Sequence, residues 1–358
     1  MSYDNLSMDK EPCDYEKIYA FENLYKAHLK ARRGKRDLAE TILFENNLGI
    51  NLIRISEELR NGTYRIDGYY SFMVYDPKKR TIHALHYKDR VVQHCICDEV
   101  LSDIIEPKLI YDNAACRMNK GTSFAIKRLS GFLSEYYKAH GANGYFLRFD
   151  IRKFFDNIDH GILKEKLEKV VEDKRVFALL GYFIDTYEKE CSNGRSIGIP
   201  LGNQSSQWFA LYYLDSLDRL IKEKLRIKYY VRYMDDAVMI CEDKEYLKDC
   251  LKQMTEHVEE DLRLSFNEKT QIFPIRNGVD FLGFHFYLTD TGKVVRKLRT
   301  QNKKKFKKRM KKLKAEFGNG EKAEEEIKQI LYSYEGHMKQ GHTYHLLHDT
   351  LKKNGLEG

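Results

Sequence analysis

The segment KYYVRYMDDAVMIC (residues 228–241) consists of two apolar runs on either side of a Met-Asp-Asp tip. Two short runs rich in Tyr, Val and Met around a polar tip predict a β-hairpin. The hairpin is apolar enough to be mostly buried, so Asp235 and Asp236 are adjacent carboxylates that repel each other and lose hydration. A cation is needed to offset them, which makes the tip a candidate metal site.

A second acidic strand end lies upstream, in YFLRFDI (145–151), where a compact strand is predicted to end at Asp150. A single Asp at a strand end is most often a turn or cap residue. If this strand lies beside the hairpin, however, carboxylates from both converge. Oxygen ligands suit Mg²⁺, and two such ions about 4 Å apart stabilise the attacking and leaving oxygens of an in-line phosphoryl displacement. Asp150, Asp235 and Asp236 are therefore candidate ligands for two Mg²⁺ ions, with Mn²⁺ as an alternative.

The chain of 358 residues is long enough for two or three domains, and its net charge is +8. Thirteen Lys or Arg and no acidic residue fall within residues 293–314, so the basic excess is local and predicts a polyanion-binding face. The N-terminus is polar and acidic, no apolar run is long enough to span a membrane, and seven scattered Cys suit free thiols. These features predict a cytoplasmic protein that does not contact a membrane.

A second candidate metal site lies among five residues that are close in sequence: His83, His86, His94, Cys95 and Cys97. The two cysteines fall within a helical apolar pattern, so buried core thiols with scattered histidines are the favoured interpretation. No Walker-type phosphate loop and no zinc-spaced Cys quartet is present.

The remaining pattern predicts one helix over 39–59, one helix over 208–225 and one strand over DFLGFHFYL (280–288). The last 60 residues are predicted to be helical, beginning with a basic helix that extends to about residue 317.

Six blocks, in order, resemble the conserved blocks of reverse transcriptases of the bacterial, group II-intron-like lineage. They are RTIHALHYKDRVVQ (80–93), AACRMNKGTSFAIKRL (114–129), FDIRKFFDNI (149–158), YMDD (233–236), LRLSFNEKTQIF (262–273) and VDFLGFHF (279–286). A further block, IPLGNQSSQ (199–207), has Leu201-Gly202 where most reverse transcriptases have Gln-Gly. This form resembles the reverse transcriptases of diversity-generating retroelements, which copy a template RNA with errors at adenine.

The resemblance implies an α+β fold of the right-hand polymerase class. It places an N-terminal helical extension at 1–62, fingers at 63–144, a palm with an interleaved fingers segment at 145–286 and a basic helical thumb at 287–358. It also implies that Asp150, Asp235 and Asp236 are the catalytic metal ligands, and that Lys269 is a candidate proton donor to the pyrophosphate leaving group.

Further roles are implied for residues on either side of the catalytic carboxylates. Those expected at the incoming nucleotide are Arg80, Lys88, Arg117, Phe155, Leu201, Gly202 and Gln207. Phe155 would be the steric gate against a 2′-hydroxyl. Those expected at the primer or duplex are Tyr233, Met234, Leu282, Gly283, Lys304, Lys307, Lys308 and Lys311.

The function implied is RNA-directed DNA synthesis within a diversity-generating retroelement. The partners implied are template RNA, the RNA–cDNA duplex, dNTPs and a small basic helical accessory protein, for which a pentamer is one arrangement. Two alternatives stay open: a phage-defence reverse transcriptase, and a non-catalytic RNA-binding scaffold on a polymerase fold.

Overall fold

The computed structural model of the chain describes residues 14–75, 79–187, 189–190 (backbone only), 194–320 and 322–356. The helices are α1 (Asp14–Tyr19), α2 (Phe21–Ala31), α3 (Ala39–Asn46), α4 (Leu48–Arg60), α5 (Tyr87–Ile96), α6 (Ser102–Ile105), α7 (Thr122–His140), α8 (Phe154–Asn157), α9 (His160–Glu168), α10 (Lys174–Asp185), α11 (Gln204–Tyr213), α12 (Asp215–Arg219), α13 (Lys244–Glu256), α14 (Thr300–Gly318), α15 (Glu324–Met338) and α16 (Tyr344–Asn354). The strands are β1 (Tyr69–Val74), β2 (Arg80–Leu85), β3 (Tyr145–Phe149), β4 (Lys189–Glu190), β5 (Ser196–Ile197), β6 (Tyr229–Tyr233), β7 (Asp236–Cys241), β8 (Gln271–Pro274), β9 (Val279–Phe281), β10 (Phe284–Leu288) and β11 (Val294–Leu298). None of the described helices is long and apolar enough to cross a membrane.

The described residues form two compact units that are discontinuous in sequence. The first unit contains the described residues up to 110, together with 153–218 and 257–264, and the second contains 111–152, 219–256 and the described residues from 265 onward. The predicted boundaries at 62, 144 and 286 stay predictions, because these units do not test them.

The second unit is built on a four-stranded antiparallel sheet with the strand order β6-β7-β3-β8. Helix α7 packs against β6, and the apolar face between them includes Leu129, Phe146 and Val231, all fully buried. Burial of each such side chain contributes about 1.5–3 kcal/mol, so the sheet that carries the acidic strand ends is a rigid platform. The predicted hairpin over 228–241 and the strand ending before Asp150 are confirmed.

The prediction of one strand over 280–288 is wrong. The segment folds back on itself as β9 and β10, with Phe281 paired to Phe284 and a two-residue turn at Leu282 and Gly283. Both turn residues have positive φ, 47° and 90°, which is the backbone twist that two-residue hairpin turns require. A Gly as the second turn residue was the signal for this hairpin.

The predicted helical structure of the last 60 residues is confirmed by α14, α15 and α16, but the predicted basic helical thumb at 287–358 does not begin as a helix. Residues Val294–Leu298 form β11, which pairs with β10 from Leu288↔Val294 to Phe284↔Leu298. The basic helix begins only at Thr300 and continues to Gly318, burying Phe306, Met310 and Leu313 against α15 and α16. Long basic side chains are compatible with either structure, so charge alone did not separate strand from helix.

The first unit contains the β1–β2 hairpin and the predicted nucleotide-contacting residues other than Arg117, which lies in the second unit. The predicted helix over 39–59 is divided into α3 and α4 at Asn47, whose φ of −128° and ψ of 39° end the first helix. The predicted helix over 208–225 is likewise interrupted at Leu214, with φ of −89° and ψ of 4°.

Candidate active site

The tip of the β6–β7 hairpin is a two-residue turn, Met234-Asp235, closed by the pairing of Tyr233 with Asp236. Met234 has a φ of 55°. This left-handed conformation is strained for a residue other than glycine and needs support from its surroundings. The support comes from Arg232, which is fully buried and donates from Nη1 to the Met234 carbonyl oxygen at 2.7 Å. A buried guanidinium therefore fixes the turn that presents Asp235.

Asp150 lies at the same end of the sheet as this turn. Strand β3 pairs with β7 up to Phe149↔Ala237, so the next residue, Asp150, is opposite the hairpin tip. Its backbone carbonyl accepts a hydrogen bond from the Asn267 N–H at 2.7 Å, which holds the strand end in place. The sequence prediction that the two acidic segments converge is met by this register.

The carboxyl groups of Asp150 and Asp235 are within hydrogen-bonding distance of each other. Burial, followed by the negative charge of Asp150, raises the pKa of Asp235 to about 7. The Asp235 carboxyl group is therefore only partly ionised near neutral pH, and a bound cation would favour its ionised form.

Asp236 is held differently from Asp235. Its carboxylate accepts from Arg148 Nε at 3.2 Å and Nη2 at 3.4 Å. Burial raises the pKa of Asp236, and the positive charges of Arg148 and Arg299 oppose that rise. Asp236 is thus partly neutralised by arginine, whereas Asp235 is not.

Sequence reasoning missed Arg148 and Arg232. The signal was present, because each is a lone charged residue inside an otherwise apolar strand, two or three positions before a candidate catalytic Asp. A buried charge requires a partner, and the nearest polar groups in the chain were those aspartates and their turn.

The donor set at this site fits a hard divalent cation. Within the described part of the chain, no group of three or more His, Cys, Asp or Glu side chains is arranged to hold a metal ion as it stands. Mg²⁺, however, is usually held by one or two carboxylates together with substrate phosphates. The Asp150–Asp235 pair is such a set, and the role of Asp236 as a direct ligand stays a prediction.

The raised pKa of Asp235 predicts an effect on stability in metal-free protein. The folded-state pKa of about 7 lies above the ordinary value of 3.8, so folding takes up a proton between these values and stability falls as pH rises towards 7. Asp235→Asn removes this cost. We expect the variant to melt roughly 5 °C above wild type at pH 8 in EDTA, with a smaller difference at pH 5.

The matched control is Asp290→Asn, which makes the same charge change at an exposed position of the second unit. Its melting temperature should follow wild type at both pH values. Equal melting of wild type and Asp235→Asn at pH 8 would show that the Asp150–Asp235 repulsion does not destabilise the folded chain.

The other predicted residues of the second unit are placed as follows. Lys269 is exposed, and its backbone N–H donates to Asn267 Oδ1 at 3.1 Å, so it lies in the loop anchored to the Asp150 carbonyl. Arg117 donates to the Asn113 carbonyl at 2.9 Å. Tyr233 packs against the apolar core of the second unit.

The turn at Leu282 and Gly283 joins the start of α14. The Gly283 carbonyl accepts from the Arg299 N–H at 3.1 Å and from Asn302 Nδ2 at 3.2 Å. Since Arg299 also opposes the rise in the pKa of Asp236, the predicted primer-contacting turn is coupled electrostatically to a candidate catalytic carboxylate. Lys304, Lys307, Lys308 and Lys311 are exposed on α14.

In the first unit, Arg80 is exposed at the start of β2, and Lys88 forms an ion pair with Asp67 at 2.6 Å. Burial lowers the pKa of Lys88, but the hydrogen bond to Asp67 and neighbouring carboxylates outweigh it and raise the pKa overall. A role for Lys88 at the triphosphate would require this pair to open. Phe155 is half-buried and lies edge-to-face against Phe154.

The loop before α11 approaches the β1–β2 hairpin closely. Gly202 has a φ of +120°, and a Cβ there would be 3.1 Å from Ile82 Cγ2. Asn203 is buried and hydrogen-bonded to Tyr69. Leu201 is therefore carried by an anchored loop, whereas Gln207 lies in the first turn of α11; both side chains are half-buried.

Cys95 and Cys97 are buried core thiols, as the favoured interpretation predicted. Burial raises the pKa of each thiol well above its ordinary value, which is opposite to what a metal-binding thiolate needs. His83 is hydrogen-bonded to Ser71 at 2.8 Å, and His86 to Glu40 at 2.7 Å.

Asp150, at the end of β3, and Asp235, on a strained hairpin turn, thus lie at the same end of an antiparallel sheet. Residues 76–286 match the family model described as reverse transcriptase (RNA-dependent DNA polymerase). Since this match covers more than half of the chain, the chain belongs to the reverse transcriptase family. The predicted fold class, an α+β polymerase fold, is confirmed.

Two curated relatives are the putative COX1/OXI3 intron 1 and intron 2 proteins of Saccharomyces cerevisiae, each 23% identical, over 190 and 204 residues. The matches cover 50% and 40% of this chain, and only 22% and 24% of those relatives. Similar solved structures include apo telomerase from Candida tropicalis truncated from its C-terminal domain, with 14% identity, TM-score 0.48, and 64% of this chain and 54% of that chain covered. Another is telomerase from Candida albicans in complex with a TWJ fragment of telomeric RNA, with 14% identity, TM-score 0.46, and 63% and 44% covered.

Proposed function

We propose that this chain is an RNA-directed DNA polymerase that extends a primer with dNTPs on a template RNA. The observation that carries the proposal is the Asp150–Asp235 pair, in which burial, followed by the negative charge of Asp150, raises the pKa of Asp235 to about 7. A site that keeps two carboxyl groups together at this cost is suited to cation binding rather than to stability.

In this proposal Asp150 and Asp235, with Asp236 beside them, hold two Mg²⁺ ions, or Mn²⁺ in their place, which supply charge stabilisation for the transferred phosphoryl group. Arg232 keeps the hairpin turn in its strained conformation, and Arg148 orients Asp236. Lys269 lies in the loop fixed to the Asp150 carbonyl, from which its ammonium group would donate a proton to the leaving pyrophosphate.

Primer extension on a defined RNA template, with Mg²⁺ or with EDTA, tests the proposal. cDNA that lengthens only with the cation supports it. RNA binding without any extension under either condition would favour the non-catalytic scaffold instead.

We further propose that the chain acts, in the cytoplasm, in a diversity-generating retroelement with a small basic helical accessory protein. The support is the Leu201-Gly202 block, which occupies an anchored loop beside β2. A Gln at position 201 would offer an amide that donates and accepts hydrogen bonds, whereas Leu201 offers only apolar contact. A site that hydrogen-bonds its substrate discriminates better than one that relies on shape.

Leu201→Gln is therefore expected to lower misincorporation opposite adenine by roughly five-fold, the equivalent of one net hydrogen bond of about 1 kcal/mol. The synthesis rate should stay within a few-fold of wild type. Sequencing of cDNA made on an adenine-rich RNA measures both quantities.

The control is Leu201→Met, which conserves volume and apolar character and should keep the wild-type error spectrum. Identical spectra for wild type and Leu201→Gln would remove the physical support for the diversity-generating role. That result would favour the alternative role as a phage-defence reverse transcriptase.

A further inference from the structure

Residues 198–203, which we call the Leu201 loop, are attached to the first unit at both ends. At the far end, Asn203 is buried and hydrogen-bonded to Tyr69. At the start, the Gly198 N–H donates to the Ile158 carbonyl oxygen at 2.8 Å. The position of Leu201 therefore depends on these two attachments.

A side chain completes the attachment at Gly198. His160 is the first residue of α9 and is only 2% exposed, and its Nε2 lies 2.7 Å from the Gly198 carbonyl oxygen. Because a carbonyl oxygen can only accept, the imidazole must carry a proton on Nε2 and donate it. Both backbone polar groups of Gly198 are thus bound to residues 158–160, and one of the two bonds comes from a side chain.

The imidazole of His160 is held by residues outside the loop. The preceding residue, Asp159, caps α9, and its Oδ2 accepts from Arg195 Nη1 at 3.1 Å and from Arg263 Nη1 at 3.0 Å. At the other edge of the ring, Nδ1 lies 3.5 Å from Asp185 Oδ1. His160 is therefore a fixed donor, and the Gly198 carbonyl is held where this donor places it.

Loss of this hydrogen bond would move the loop. Gly198, Ile199 and Pro200 are all buried, so water has little access to the carbonyl oxygen in place of the imidazole. A buried carbonyl oxygen without a partner is costly, so the segment would shift until that oxygen found another donor. Leu201 follows directly after these residues and would shift with them.

We propose that His160 is a positioning residue that holds the start of the Leu201 loop and thereby sets how strictly the polymerase selects the incoming nucleotide. In this proposal His160 touches neither substrate nor metal and acts only through Gly198. Selection by a binding site requires that its side chains stay within about 0.5 Å of one geometry, and a loop that moves more freely accepts mismatched base pairs more readily. The inference rests on the proposed function, in which Leu201 contacts the substrate.

The test compares two amide substitutions, His160→Gln and His160→Asn. The glutamine amide nitrogen can reach the position of Nε2 and donate to Gly198, whereas the asparagine amide nitrogen is one bond nearer to the backbone and cannot. The measurement is kcat/KM for dATP relative to kcat/KM for dTTP opposite a template adenine. We expect His160→Asn to raise this ratio about five-fold, the effect of one net hydrogen bond, and His160→Gln to stay within about two-fold of wild type.

This ratio does not respond to partial unfolding. Both kcat/KM values are measured on the same preparation, so the fraction of active protein cancels out. The control is His257→Asn, which makes the same substitution at a half-buried histidine of the first unit whose hydrogen bonds are to Ser216 and Asp261. The control should keep the wild-type ratio.

Hydrogen–deuterium exchange of the free chain follows the loop directly. The backbone amides within residues 198–203 should exchange faster in His160→Asn than in wild type, because the bond that holds the start of the loop is missing. They should exchange at the wild-type rate in His160→Gln and in His257→Asn.

The outcomes separate this inference from the proposed function. If wild type extends a primer, equal ratios for wild type and His160→Asn, or a ratio raised equally by His160→Gln, would overturn this inference alone. Faster exchange with an unchanged ratio would show that His160 holds the loop without setting selection, and would also overturn it. Absence of any primer extension by the wild-type chain would overturn the proposed function and this inference with it.

Discussion

Asp235→Asn and Asp150→Asn are each expected to lower the rate of primer extension by a factor on the order of 10³ or more, while RNA binding persists. Phosphoryl transfer depends on positioning and on stabilisation of developing charge, and in the proposed mechanism both depend on the pair of carboxylates at the sheet end. Asparagine keeps the size of the side chain but offers one neutral oxygen in place of a charged carboxylate. The measurement is single-turnover extension of a primer on an RNA template, with binding followed in parallel.

Asp235→Asn is also expected to stabilise the metal-free chain, so loss of activity in this variant cannot be attributed to unfolding. Asp290→Asn, with an identical charge change at an exposed position, should retain full activity. Near-wild-type extension by Asp235→Asn would exclude the carboxylate pair as the catalytic site, whatever its effect on melting. A variant that is more stable and inactive would show that the protein retains a repulsive pair for its chemistry.

The central sheet and its acidic strand ends could be predicted because their sequence signals are local. The segment 228–241 has a short apolar run on each side of the Asp pair, and the segment 145–149 is a compact apolar strand. A single Asp at a strand end is most often a turn or cap residue, but two adjacent carboxylates in a buried hairpin require a cation to offset them. The convergence of the two acidic strand ends needed one further fact, the β3–β7 pairing, which the sequence does not specify and the resemblance supplied.

Other features depended on tertiary pairing. Residues 294–298 form a strand because β10 provides a partner, although their basic composition is continuous with that of α14. The difference in electrostatic environment between Asp235 and Asp236 depends on Arg148, whose side chain donates hydrogen bonds to Asp236. Both the strand at 294–298 and the Arg148–Asp236 contact depend on residues that are close in space. Neither could be predicted from the spacing of residues along the sequence.

The second large effect is expected from substitution of lysines on the basic helix α14, which we predict to bind the duplex. Four of its lysines, Lys303, Lys307, Lys308 and Lys311, line a groove of about 670 Å³ between α14 and α16. Lys304, predicted from sequence as a duplex contact, is not among the residues that line this groove, and its contact stays a prediction. Lys353, His345 and Asp349 face the groove from α16, so the positive charge of the groove is concentrated on its α14 side.

Replacement of Lys303, Lys307, Lys308 and Lys311 with Ala is expected to flatten the dependence of log affinity on log salt by up to about three or four, since each neutralised phosphate of a duplex contributes about 0.9. Unrelated duplex sequences should weaken about equally, because phosphate contacts carry no sequence information. Alanine preserves helix propensity, and the apolar side of α14 is untouched, so the fold should persist. Titration of fluorescent RNA–DNA duplexes at several salt concentrations measures the slope.

The matched control removes four lysines that are already paired with carboxylates on helices: Lys169, Lys248, Lys252 and Lys328. Net charge changes by the same amount in both variants, so a long-range effect of charge would lower affinity in both. Lysines that are neutralised within the protein release few counterions from a duplex, and their loss should leave the slope within about one unit of wild type. A slope that changes equally in the two variants would mean that the α14–α16 groove has no special contact with the duplex, and that its lysines form only a solvated surface.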